Sequence, residues 1–135
     1  MRIMTSAVLA LVLILSGCSA GTGEMSNTEA KGVYVRISAE EAKQIIDSGE
    51  EVIILDVRTE GEFNSGHIKD ALLLPYDLIE SQAEEMLPDK NAKILVYCRS
   101  GNRSAVGANS LLELGYTDVI DFGGISDWPY EIISE

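Results

Sequence analysis

The 135-residue chain contains only one histidine and two cysteines. These are the side chains that bind zinc and other soft metals, and a structural zinc site needs four of them. The chain has too few such side chains to complete a site of this kind. We therefore expect no metal centre in this protein.

Basic residues are scarce as well. The chain has 10 lysines and arginines against 22 aspartates and glutamates, which gives a formal net charge of -12. A protein this acidic is repelled by phosphate backbones and by anionic lipid headgroups. Nucleic acids are therefore not expected as partners, and charge alone is not expected to hold the protein on a membrane.

The chain has only one long apolar run, residues 7–15, which follows the single basic residue Arg2. A membrane-spanning helix needs about 20 predominantly apolar residues, so a permanent span is disfavoured. The position and length of the run are typical of a signal peptide, which we assign to residues 1–17. The alternatives to a lipoprotein signal, for which the next residues give support, are an ordinary secretory signal with a chance cysteine and a short buried apolar helix.

The end of this segment, Leu15-Ser16-Gly17-Cys18, resembles the lipobox of bacterial lipoproteins. The resemblance implies cleavage before Cys18 and acylation of that cysteine, and more than one acyl chain gives stable anchoring. Acylation would leave Cys98 without a partner for an internal disulfide. Residues 18–32 are small and polar and would form a flexible tether. We expect a protein of the bacterial cell envelope, lipid-anchored to the membrane and facing outside the cytoplasm.

The remaining residues, 33–135, suit one domain with one hydrophobic core, and a monomer is expected. Two continuous apolar runs rich in β-branched and leucine residues, 52–55 and 94–97, are typical of strands buried on both faces of a parallel sheet. Shorter apolar runs predict three more strands, at residues 33–37, 71–74 and 119–122.

Helical patterns alternate with these strands. Ser38 and Glu41 have the spacing of a capping box at the start of a helix that reaches Ser48. Further helical segments are predicted at about residues 59–63, 77–86 and 104–114. The alternation predicts a small α/β domain with an about five-stranded, mostly parallel sheet and helices on both faces.

The chemically informative segment runs from Ile94 to Ser104. Cys98 directly follows a buried strand and precedes a helix, which places it at the edge where open α/β sheets bind ligands. The N–H groups of a helix start and the cations Arg99 and Arg103 would lower the pKa of a thiol here. We therefore predict an ionised, solvent-reachable thiol. An inert buried cysteine is the alternative.

Three motifs together resemble the single-domain rhodaneses over nearly all of residues 33–128. One is the loop that begins at Cys98, with the sequence CRSGNRS. A second comprises Asp56, Val57, Arg58, Glu62, Phe63, Gly66, His67 and Ile68. A third comprises Gly115, Tyr116, Val119, Gly123, Gly124, Ile125 and Trp128. The chain departs from the usual family pattern at Asp70, where glycine is common.

The resemblance implies a rhodanese-like fold and a sulfurtransferase activity. Cys98 would take a sulfur atom from a small anionic donor such as thiosulfate, hold it as a persulfide, and pass it to a thiol or cyanide acceptor. No metal and no organic cofactor are implied. Arg99 is expected to meet the donor, and Arg103 either does the same or braces the loop. The substrate-binding residues would be Arg99, Ser100, Gly101, Asn102, Arg103 and Ser104.

Three more residues are predicted to be structural residues near the site. His67 could pair with Cys98 as a base, but the family uses this position for the framework, and the loop amides can activate a thiolate without it. Asp56 and Arg58 are two apart at the end of a buried strand, so their side chains point to the same side of the sheet. Buried charges need partners, and we expect an ion pair.

Two other functions are compatible with the sequence. Related phosphatases and arsenate reductases use a Cys…Arg loop, but five residues separate the two in the phosphatase signature, against four between Cys98 and Arg103. The shorter loop should hold one sulfur atom better than a tetrahedral phosphate. The second alternative is a persulfide carrier or sulfur-binding module that serves a membrane partner without turnover.

Overall fold

A computed structural model of the chain describes residues 31–135. The predicted signal peptide at residues 1–17, the lipid-acceptor Cys18 and almost all of the tether lie outside the described residues, so these assignments stay predictions. Across residues 31–135, no helix is both long enough and apolar enough to cross a bilayer.

The described residues form one five-stranded sheet in which every pairing is parallel. The spatial order is β1-β5-β4-β2-β3, so β4 lies at the centre and β1 and β3 lie at the edges. The predicted α/β architecture is confirmed. The strands are β1 (Val35–Arg36), β2 (Ile53–Asp56), β3 (Leu72–Leu73), β4 (Lys93–Cys98) and β5 (Asp118–Gly124).

Four α-helices connect the strands: α1 (Ala39–Asp47), α2 (Glu60–Ser65), α3 (Ile79–Met86) and α4 (Asn102–Glu113). The predicted capping box at Ser38 and Glu41 is present, and its side chains and backbone amides bond reciprocally. A second capping box, between Thr59 and Glu62, starts α2. Two short 3₁₀ turns complete the described chain, at Tyr76–Leu78 and Ile125–Asp127.

Side chains of the central strands alternate between two cores, one on each face of the sheet. Leu55 and Val96 pack on the face covered by α3 and α4. Ile54 and Leu95 point to the other face, which α1 and the C-terminal segment around Trp128 cover. Because both faces of these strands are buried, their sequences are continuous apolar runs.

Several predicted boundaries are wrong, each for a local reason. The first strand is predicted over residues 33–37, but only Val35 and Arg36 pair with β5 at the exposed sheet edge. The helix predicted from residue 77 begins with a 3₁₀ turn, and its α-helical part starts at Ile79. The helix predicted from Ser104 begins at Asn102, because left-handed Gly101 already serves as its N-cap.

The backbone at Asp70 has a conformation that favours glycine, the residue that the resemblance leads one to expect at this position. The φ angle of Asp70 is 66°, in the left-handed region. Glycine adopts this conformation freely, and aspartate is one of the few other residues that tolerate it. The substitution lies in the turn before β3 and leaves the sheet intact.

Candidate active site

Cys98 is the last residue of the central strand, and the loop after it leads directly into α4. Gly101 has a φ of 101°, a left-handed conformation that turns the chain sharply back over the cysteine. Its backbone N–H then donates a hydrogen bond to the Cys98 sulfur at 3.0 Å. The predicted combination of strand end, tight loop and helix start is therefore assembled around one sulfur atom.

The loop lowers the pKa of the Cys98 thiol. Burial by itself raises this pKa, because it disfavours the charged thiolate. Hydrogen bonds from the Ser104 hydroxyl and from the backbone N–H groups of Ser104, Gly101 and Ser100 act in the opposite direction and prevail. Donors near the sulfur stabilise the thiolate more than the thiol, and the Gly101 N–H lies within hydrogen-bonding distance of it, at 3.0 Å.

The structure does not support the predicted solvent-reachable thiol. Cys98 is only 1% exposed, and it packs in the same core cluster as Val57 and Val96. The physical reason is the left-handed turn at Gly101, which folds the loop over the sulfur. Arg99 and Ser100, at the outside of this turn, are exposed.

Arg99 and Arg103 occupy different surroundings. Arg99 extends to the surface and forms no ion pair within the described chain. It lines an open groove of about 550 Å³, whose other lining residues are Arg58, Gly61, Glu62, Ser65, Gly66, Ile125, Ser126 and Ile132. A cation on an exposed loop beside an open groove is suited to meet an anion from solvent.

Arg103 makes a bidentate contact with Glu62, with both nitrogen-to-oxygen distances at 2.8 Å. The Glu62 carboxylate also accepts the backbone N–H of Thr59 as part of the capping box of α2. The Arg103 hydrogen bond, opposed by burial and aided by the Thr59 contacts, lowers the pKa of Glu62 to about 2. Two roles are predicted for Arg103, and this geometry is the one expected if Arg103 braces the loop against α2. Its part in substrate binding stays a prediction.

Asp56 and Arg58 form a buried ion pair at the end of β2. The shortest contact, from Arg58 Nη2 to Asp56 Oδ2, is 2.6 Å, and the two residues are 0% and 5% exposed. Arg58 Nη2 also donates to the Gly66 carbonyl at 2.7 Å. The pair therefore ties β2 to the segment that carries His67.

His67 is held by its own neighbours. Its Nδ1 lies 2.9 Å from the Phe63 carbonyl oxygen, and its ring stacks on the Phe63 ring with centroids 3.7 Å apart. A carbonyl oxygen can only accept, so Nδ1 carries the proton in this contact. The histidine backbone exchanges two hydrogen bonds with Ile133, which fastens the C-terminal segment to the domain.

Two features of the site are not apparent from the sequence. Arg36, on the edge strand β1, donates from Nη2 to the Gly101 carbonyl at 3.1 Å. Gly124, on β5, lies against the loop backbone so closely that a β-carbon there would be 2.6 Å from Ser100 Cα. The Gly123-Gly124 pair belongs to one of the sequence motifs, but only the tertiary structure shows what it contacts.

Comparison with known proteins gives a consistent result. The model of the rhodanese-like domain matches residues 38–130. The chain is 36% identical over 107 residues to the putative sulfur carrier protein YrkF of Bacillus subtilis, covering 78% of this chain but only 56% of that protein. It is 32% identical over 97 residues to the thiosulfate sulfurtransferase GlpE of Coxiella burnetii, covering 71% of this chain and 88% of that protein.

A solved structure shares the fold. The crystal structure of a rhodanese-related protein from Thermoplasma volcanium superposes with a TM-score of 0.66 and 30% sequence identity, covering 76% of this chain and 100% of that one. The family model, the sequence relatives and the shared parallel sheet all agree. The chain therefore belongs to the rhodanese-like domain family.

Proposed function

We propose that this protein is a sulfurtransferase in which Cys98 carries a sulfane sulfur as a persulfide. The observation that supports this most directly is the thiol itself, which lies at the carboxyl end of the central strand with the Gly101 N–H 3.0 Å from its sulfur. The same loop lowers the pKa of the thiol. A thiolate is the nucleophile in sulfur transfer, so this environment prepares the group that the reaction needs.

The proposed reaction has two displacement steps. With thiosulfate as donor, the Cys98 thiolate attacks the outer sulfur, the S–S bond of thiosulfate breaks, and sulfite leaves with the bonding electron pair. The Cys98 persulfide anion remains. An acceptor thiolate or cyanide then attacks its outer sulfur, and the Cys98 thiolate leaves and is regenerated. The loop N–H groups of Ser100, Gly101 and Ser104 stabilise negative charge on sulfur at both stages.

The burial of Cys98 places a requirement on this reaction. Because the residue is 1% exposed, a donor can reach the sulfur only when the loop moves aside. The exposed residues Arg99 and Ser100 and the glycine at position 101 make this loop the part of the site that can do so. Arg99 would attract the anionic donor to this entrance.

A persulfide carrier without efficient turnover is the second candidate. Two observations favour it: the relationship to a putative sulfur carrier, and the burial of Cys98, which would shield a bound persulfide from solvent. Steady-state assays with several thiol acceptors separate the two proposals. Single loading with negligible recycling would identify a carrier, whereas repeated turnover would identify an enzyme.

A phosphatase activity is disfavoured by the geometry of Arg103. A phosphatase would need this arginine to bind phosphate oxygens, but here Glu62 already occupies both of its terminal nitrogens. The loop is also one residue shorter than the phosphatase signature. We expect no turnover of aryl phosphates under conditions in which thiosulfate is used.

Intact-mass measurement of the full-length chain in mild detergent, before and after thiosulfate, tests the proposal. The wild type should gain one sulfur atom that a reductant removes. Cys98→Ser should gain none, and because it retains Cys18 it also controls for the second cysteine. A wild type that gains no sulfur, or a serine variant that still does, would contradict the proposed role of Cys98.

A further inference from the structure

A charged cluster on β1 and β5 lies beside the cysteine loop and has no part in the two displacement steps. At its centre is Asp121, which is fully buried. Its carboxylate accepts hydrogen bonds from the Tyr34 hydroxyl at 2.6 Å and from the Gly123 backbone N–H at 2.8 Å. Arg36 Nε lies 3.7 Å from the same carboxylate. Burying a charge costs free energy unless hydrogen bonds and opposite charges compensate it, and three groups contact this carboxylate.

Arg36 connects this cluster to the reactive loop. Its Nε faces Asp121, and its Nη2 donates to the Gly101 carbonyl at 3.1 Å. Gly101 in turn donates its N–H to the Cys98 sulfur at 3.0 Å. A single residue of the loop is therefore held between the Arg36 guanidinium on one side and the sulfur on the other.

We propose that Arg36 is a positioning residue that holds Gly101 in the orientation in which its N–H points at the Cys98 sulfur. This inference rests on the proposed function, since it concerns the reactive state of Cys98. Glycine has more backbone freedom than any other residue, so its conformation in a loop must be fixed by its contacts. Asp121 orients the guanidinium, and the guanidinium fixes the Gly101 carbonyl.

Ser104 gives Arg36 a second effect on the site. The Ser104 hydroxyl donates to the Gly101 carbonyl oxygen at 3.1 Å. The Cys98 sulfur is a second acceptor to which it can turn, since hydrogen bonding from Ser104 lowers the pKa of the thiol. A hydroxyl has one proton, so it can donate to only one of these acceptors at a time. With Arg36 donating to the carbonyl, the carbonyl keeps a donor when the hydroxyl turns to the sulfur. Without Arg36, the hydroxyl would be held on the carbonyl.

The test is the pH dependence of Cys98 alkylation by iodoacetamide in the full-length chain, read by the mass of the peptide that contains Cys98, so that Cys18 does not contribute. In Arg36→Gln we expect the midpoint to rise by roughly half to one pH unit, because the thiolate loses well-aligned donors. Sulfur transfer from thiosulfate should fall roughly three- to tenfold. Tyr34→Phe removes only the hydroxyl that donates to Asp121, and it should shift the midpoint in the same direction by a smaller amount.

Salt separates positioning from simple loss of a positive charge. Arg36 is 46% exposed, so its direct attraction for the thiolate is screened at about 1 M salt, where the Debye length is about 3 Å. A displaced hydrogen bond is not screened in this way. Arg103, whose charge interacts with Cys98, is unchanged in these variants. We therefore expect the Arg36→Gln shift to persist at about 1 M salt.

The exposed Lys69 provides a matched control, since Lys69→Gln loses the same charge at a residue for which the described chain shows no ion pair. Its midpoint should equal that of the wild type. A shift that disappears at high salt, or that Lys69→Gln reproduces, would overturn the inference, and so would an unshifted Arg36→Gln. If Arg36→Gln does not fold, Tyr34→Phe is measured instead. An unshifted midpoint in that variant, or a shift that disappears at high salt, would overturn the inference. A wild-type thiol with an ordinary midpoint would instead contradict the proposed function itself.

Discussion

Gly124→Ala is expected to lower the rate of sulfur transfer by roughly a hundredfold while the domain remains folded. Gly124 pairs with Cys98 across β4 and β5. A β-carbon at this position would clash with the Arg99 carbonyl oxygen and would lie 2.6 Å from both the Arg99 carbonyl carbon and Ser100 Cα. These are backbone atoms, so no side-chain rotation can relieve the overlap. The loop must move, and a displacement of about 1 Å at a reacting group can cost about a hundredfold in rate.

The measurement is kcat/KM for thiosulfate, together with the urea unfolding curve of each variant. Gly61→Ala is the control for an added methyl group: the residue lines the Arg99 groove, but a β-carbon there meets nothing within 4 Å, and alanine is favourable in α2. It should retain the wild-type rate. A Gly124→Ala protein with wild-type kcat/KM would show that sulfur transfer does not depend on the observed position of the loop.

Asp56→Ala is expected to destabilise the domain by about 3–5 kcal/mol, the usual effect of removing one partner from a buried ion pair. Burial disfavours the charged form of Arg58, but the hydrogen bonds and charge of Asp56 more than offset this and raise the arginine pKa. Without Asp56, the 5%-exposed guanidinium would keep the Gly66 carbonyl as its remaining hydrogen-bond acceptor. The free energy of unfolding in urea measures this effect.

Asp47→Ala is the matched control for this variant. Asp47 also forms a carboxylate–cation pair, with Lys43, but its side chain is 58% exposed. Exposed pairs of this kind contribute little because water solvates both charges after the pair is broken. The unfolding free energy should therefore change far less than in Asp56→Ala. Equal effects in the two variants would mean that burial does not set the cost of losing the carboxylate.

Local sequence patterns predict much of the fold. The continuous apolar runs that form β2 and β4 and the capping box of Ser38 and Glu41 depend on residues close together in the chain, and they appear as expected. The position of Cys98 at the end of a central strand follows from the same local patterns. Boundaries are less predictable where tertiary pairing decides, as in the short edge strand β1.

The contacts around the loop could not be predicted, because they join residues far apart in the sequence. Arg36 bonds to Gly101 across 65 residues, and Arg103 bonds to Glu62 across 41. Nothing in the local sequence around Arg36 distinguishes it from a solvated lysine or arginine on an edge strand. The burial of Cys98 is hidden from the sequence for a related reason, since it depends on the backbone conformation of Gly101.

The most direct test of the proposed chemistry is the pH titration of the wild-type Cys98 alkylation rate. Only the thiolate reacts, so a lowered pKa keeps the reaction fast at pH values where an ordinary thiol is protonated. We predict a midpoint below the value of about 8.5 that is usual for cysteine. A midpoint at or above that value would show that burial outweighs the loop hydrogen bonds, and it would contradict the assignment of Cys98 as a prepared nucleophile.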